Sequence, residues 1–115
     1  MSFKIKNDSG VEVDSLFSFH NGFTGEPYIV KFFLESEDEH QGVEVEVNVK
    51  DNYAGWSIKI AKGHTLLSEE EWDSTEQIVN FDEFGNEQEL SCRVYCPGGT
   101  ISDIYNPFTL AVRNA

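Results

Sequence analysis

Cationic residues are scarce in this 115-residue sequence: eight Lys and Arg stand against 21 Asp and Glu, leaving a net charge of −13. A surface of that sign repels nucleic acid phosphates and anionic membranes, so neither is an expected partner. It suits solubility and cationic partners. It also strains the fold by self-repulsion, so moderate salt is expected to raise the melting temperature.

Cysteine is nearly absent. Cys92 and Cys96 are the only two, and their spacing is not that of a Cys-x-x-Cys redox or zinc pair. On one extended strand they would lie about 13 Å apart at ~3.3 Å per residue. A disulfide would then need an abrupt reversal at Cys96-Pro97-Gly98-Gly99. The expectation is two free thiols in a reducing compartment, with Cys92 serving as a small core hydrophobe.

Long apolar runs are missing too. No stretch approaches the ~20 residues of a membrane helix. Met1-Ser2-Phe3-Lys4-Ile5-Lys6 has none of the apolar core of a signal peptide, so the chain reads as synthesised in the cytoplasm without export. A single Met and few Ala argue against a helical bundle. His20, His40 and His64 have no His or Cys partner at ligand spacing. The sequence carries no nucleophile elbow and no Gly-rich phosphate loop. No catalytic residue is assigned, and the chain is expected not to be an enzyme.

What the sequence does have is alternation with a period of two. Val43, Val45, Val47 and Val49 alternate with Glu44, Glu46 and Asn48, the signature of a half-buried strand. Trp56, Ile58 and Ile60 repeat the pattern, as do Leu90, Cys92 and Val94, and Phe108, Leu110 and Val112. Tyr28, Val30, Phe32 and Leu34 form another such face. Weaker strands are read at residues 3–6, 16–20, 76–81 and 100–105. Turn residues separate them, among them Asn21-Gly22, Phe84-Gly85-Asn86 and Pro97-Gly98-Gly99. Asp51-Asn52-Tyr53-Ala54-Gly55 reads as a hairpin loop joining the valine strand to the Trp56 strand. Eight or nine short strands predict one all-β domain over residues 1–115. Its expected form is an antiparallel β-sandwich, immunoglobulin-like or jelly-roll-like. Ser68-Glu69-Glu70-Glu71-Trp72 breaks the alternation and reads as a capping box, predicting a short helical turn near residues 68–73.

Two groups of residues are candidate binding features. Asp82, Glu83, Asn86 and Glu87 offer the oxygen ligands that Ca²⁺ takes, although no EF-hand pattern is present. With Glu35, Glu37, Asp38 and Glu39 and the glutamates after Ser68, they equally read as solubilising charge on loop tips. No cofactor other than Ca²⁺ is implied. Phe33, Tyr53, Tyr95 and Tyr105 are aromatics placed off the core faces or on loops, where they could meet a protein partner or stack on a glycan.

Three segments together carry a resemblance. They are Gly55-Trp56-Ser57-Ile58-Lys59-Ile60, Leu67-Ser68-Glu69-Glu70-Glu71-Trp72 and Asn106-Pro107-Phe108-Thr109-Leu110-Ala111-Val112-Arg113. Over about residues 43–113 the chain resembles small immunoglobulin-like β-sandwich proteins of tailed-phage virions. The resemblance implies a capsid-decoration, tail or adaptor component that works through protein–protein contacts or self-assembly, located in the virion. It transfers no functional residue. The competing readings are a carbohydrate-binding module, which needs a flat row of exposed aromatics, and an acidic DNA mimic, which needs carboxylates spaced like phosphates.

Overall fold

The computed structural model describes residues 3–13, 16, 19–20, 27–51, 53, 55–64, 67–95, 104–105 and 107–114. Alternation in the sequence becomes alternation in burial. Val43, Val45 and Val47 are fully buried, and Glu44 and Glu46 between them face outward. Phe32 and Leu34 do the same on the preceding stretch, and Leu90, Cys92 and Val94 on the strand opposite. The strands are β1 (Phe3–Asn7), β2 (Phe19–His20), β3 (Pro27–Val49), β4 (Ser57–Lys62), β5 (Ile78–Tyr95), β6 (Ile104–Tyr105) and β7 (Phe108–Asn114). One helix, α1 (Glu69–Asp73), lies between β4 and β5. The all-β antiparallel expectation and the single helical turn are borne out.

The strands form a five-stranded sheet in the order β1-β3-β5-β4, with β7 also pairing β3, and a two-stranded ladder of β2 and β6. Every pairing is antiparallel. Two strands dominate. A straight strand of 23 residues would run roughly 75 Å at ~3.3 Å per residue, yet the longest dimension of the molecule is 44 Å. β3 and β5 therefore bend together. Between Glu35 and His40 β3 advances five residues while its partner β5 goes only from Glu87 to Gly85, and a second register shift follows at Gln41. Such bulges kink a strand without ending it. Gly42 (φ 65°) and Gly85 (φ 70°) take up the left-handed backbone near the kink, one on each strand.

Beyond the kink the neighbours change. The first half of β3 pairs β1 and its second half pairs β7. The second half of β5 pairs β4. The sheet curls, and both halves feed one core. Phe32, Leu34, Leu90 and Cys92 from one half share a cluster with Val43, Val45, Val47 and Phe81 from the other. Phe84, at the kink, touches both halves: its ring meets Phe3 edge-on at 5.5 Å and Phe81 at 5.3 Å. Each fully buried aliphatic or aromatic side chain here contributes about 1.5–3 kcal/mol.

Three expectations are corrected. Residues 28–34 and 43–49 are not separate strands; they are the two ends of β3, and residues 35–39 lie within it. Phe84-Gly85-Asn86 is likewise inside β5. A glycine with positive φ can serve a bulge as well as a turn, and buried Phe84 holds the chain against the core through that point. The hairpin expected across Asp51–Gly55 is absent: β4 pairs β5, not β3. Bonds from Tyr53 N–H to the Lys50 carbonyl (3.1 Å) and from Trp56 N–H to the Tyr53 carbonyl (3.2 Å) turn this connection. The chain thereby passes from one half of the sheet to the other.

The capping box forms as the sequence predicts. Glu71 N–H donates to Ser68 Oγ at 3.2 Å, and Ser68 N–H donates to Glu71 Oε1 at 3.1 Å. Trp72 anchors the helix and is 3% exposed. Cys92 is a buried free thiol, as expected; Cys96 lies outside the described residues. Among the described residues, no helix is long and apolar enough to cross a membrane.

Candidate functional site

Backbone polarity locates an open seam in the sheet. Ile60 N–H donates to the carbonyl of Glu76 at 3.0 Å, on the side of β4 facing away from β5. In an antiparallel ladder successive residues alternate sides, so Ile58 also turns its backbone groups away from β5. On the other wall, Val47 N–H donates to the carbonyl of Gln77 at 2.8 Å. By the same alternation Ile78 turns its backbone groups away from β3, toward β4. Past the Ile60–Glu76 bridge the two edges part. They leave a groove of about 580 Å³.

The groove joins apolar residues to polar and acidic ones. Val49, Trp56, Ile58 and Ile78 line it, with Glu46, Ser57, Thr75, Glu76 and Gln77. The Trp56 indole is held edge-on by Tyr53 at 5.8 Å and by Phe108 at 6.0 Å. Lys59 is also in the wall, but its ammonium group is occupied. It donates to the carbonyls of Trp72 (3.2 Å) and Asp73 (3.1 Å) at the C-terminal end of α1. Cations suit that end of a helix because its last carbonyls lack intrahelical partners. Arg93, directly across from Lys59 in the ladder, pairs with Glu69 of the same helix. A smaller hollow of about 120 Å³ adjoins the groove, lined by Ser57, Lys59, Arg93 and Tyr95.

Most of the other cations with described contacts are consumed by structural ion pairs. Arg113 Nη2 lies 2.7 Å from Glu46 Oε1, and Arg113 also pairs with Glu44. Its hydrogen bond holds the Glu46 carboxyl below the usual range. Lys6 pairs with Glu35, whose carboxyl is held low for the same reason, and lies 3.9 Å from Glu87.

The four aromatic candidates are dispersed. Phe33 is half-buried and packs 4.8 Å from the His64 ring. That imidazole is fixed by Nε2 at 2.8 Å from the Phe32 carbonyl and Nδ1 at 3.2 Å from Glu89. Tyr53 supports Trp56. Tyr95 is 36% exposed and lines the smaller hollow beside Ser57. Tyr105 pairs through its backbone with Phe19, and its side chain lies outside the described residues. Tyr53 and Tyr95 thus reach the same end of the sheet, and Phe33 stands apart from them.

The Ca²⁺ candidates Asp82, Glu83, Asn86 and Glu87 sit exposed along β5, on either side of Gly85. Among the described residues no three His, Cys, Asp or Glu side chains converge to hold a metal ion. The groove residues Glu46, Trp56 and Glu76 were not singled out as a site by the sequence. They lie 10 and 20 positions apart, and no linear spacing joins them. No protein-family model, curated protein or solved structure matches the chain.

Proposed function

We propose that this chain is a non-catalytic interaction domain that works by protein–protein contact as one part of a larger assembly. The virion components it resembles are the assembly class that fits. The groove between β4 and the start of β5 carries this reading. It is an apolar hollow beside a tryptophan, left where two sheet edges fail to close. Around it, Lys59, Arg93 and Arg113 are committed to contacts within the molecule. An apolar hollow in so charged a surface is where a partner gains most from excluding water.

The reading is tested by co-expressing the chain with the products of its neighbouring genes and sedimenting the lysate through a density gradient. The chain is expected to travel with assembled particles. A strictly monomeric chain, absent from every particle fraction, would overturn the proposal.

A further inference from the structure

We infer that the groove receives a Lys or Arg side chain from an exposed segment of a partner protein. This rests on the interaction reading above and names the chemistry of the contact. The long methylene stem of either residue matches the apolar walls formed by Val49, Ile58 and Ile78. A cationic head beside Trp56 is attracted by the face of an indole as well as by carboxylates. Glu46 and Glu76 supply those carboxylates.

Glu46 already shares its charge with Arg113, whereas the Glu76 carboxylate has no hydrogen bond or ion pair among the described residues. The wall's own cation, Lys59, is turned to the carbonyls of α1 and does not fill the groove. The helix whose last carbonyls hold Lys59 carries Glu69, Glu70, Glu71 and Asp73, so acidic side chains outnumber basic ones on this side of the sheet. That field draws in a basic segment. It opposes an anionic ligand, and it opposes a second copy of a chain carrying −13.

The experiment uses nuclear magnetic resonance on the whole chain. It is titrated with short end-blocked Gly/Ser peptides carrying one central Lys, one Arg, or one acetyl-lysine. The Lys and Arg peptides are expected to shift the Trp56 indole signal and the amides of Glu76 and Ile78. Acetylation is expected to weaken binding at least about fivefold, because it removes the charge and keeps the stem. Glu76→Gln is expected to weaken the Lys peptide by a similar factor. Glu83→Gln makes the same change in net charge about 16 Å along β5 from Ile78, at ~3.3 Å per residue, and is expected to leave binding within about twofold.

Equal weakening by both variants would reduce the effect to overall acidity and sink the inference. Equal binding of acetyl-lysine, or a Trp56 signal that stays still, would do the same. Co-sedimentation that persists in Glu76→Gln, with no peptide binding at the groove, would leave the interaction reading standing and remove only this one.

Discussion

The backbone N–H of Ile60 meets the carbonyl of Glu76 at 3.0 Å, and this bond pins the free edge of β4 to the chain leading into β5. The bridge is isolated: Ile58 and Ile78, the next pair in that register, stand apart across the groove. The groove is therefore a consequence of strand divergence, and the two walls carry backbone groups of known direction.

Hydrogen exchange follows from that geometry. The Ile60 amide is bonded, while the Ile78 amide faces the groove. The Ile78 amide is expected to exchange at least about tenfold faster than that of Ile60 under native conditions, since exchange reports local opening and solvent access. Equal protection at the two positions would mean that the edges are zipped together and that the groove is closed in solution.

Phe84 joins the halves of the core. Phe84→Ala removes its contacts with both Phe3 and Phe81 at the kink, and it is expected to cost about 3–5 kcal/mol in denaturant unfolding. A loss below about 1 kcal/mol, the scale of an ordinary surface change, would show that the two halves hold together without it.

Cys92 is fully buried, and burial pushes its thiol far above the usual range because the thiolate would have to form in an apolar interior. In a Cys96→Ser variant, which isolates this thiol, a thiol-specific reagent is expected to react only as fast as the protein unfolds. Rapid modification of the native variant would contradict the packing described for β5.

Glu35 and Glu46 contribute to acid sensitivity. Lys6 and Arg113 hold these carboxyls below their ordinary range in the folded state. A depressed carboxyl contributes stability that is present above its unfolded pKa of about 4.3 and is lost as pH falls through the folded value. The ammonium group of Lys6 is shifted upward by the same contact, so its contribution is present at neutral pH and lost only at strongly alkaline pH. Lys6→Gln is expected to lower the melting temperature at pH 7 and to shrink the drop in melting temperature between pH 6 and pH 3. Parallel melting curves for parent and variant across that range would show that the pair is inert to acid.

The legible part of this molecule is the local part. The valine ladder from Val43 to Val49 declares itself as a strand because a side-chain period of two allows burial on one face only. Ser68 and Glu71 declare a helix start because both partners of the capping box lie within one turn. Buried Cys92 follows from its place among Leu90 and Val94. The acidic balance is equally a property of composition.

Pairing was not legible in the same way. Alternation says which side of a strand is buried but not which strand lies beside it, and Val47 had no local sign of its bond to Gln77. Gly85 was ambiguous because a positive φ serves a reversal and a bulge alike; only Phe84, held in the core beside it, decides for a bent continuous strand. The groove depends on both outcomes. Glu46, Trp56 and Glu76 meet because β3 and β5 bend together and β4 crosses to the far half of the sheet. Strands with one apolar face follow from alternation along the chain, because that preference is local. Where the sheet fails to close depends on long-range register, which exists only once the strands have paired.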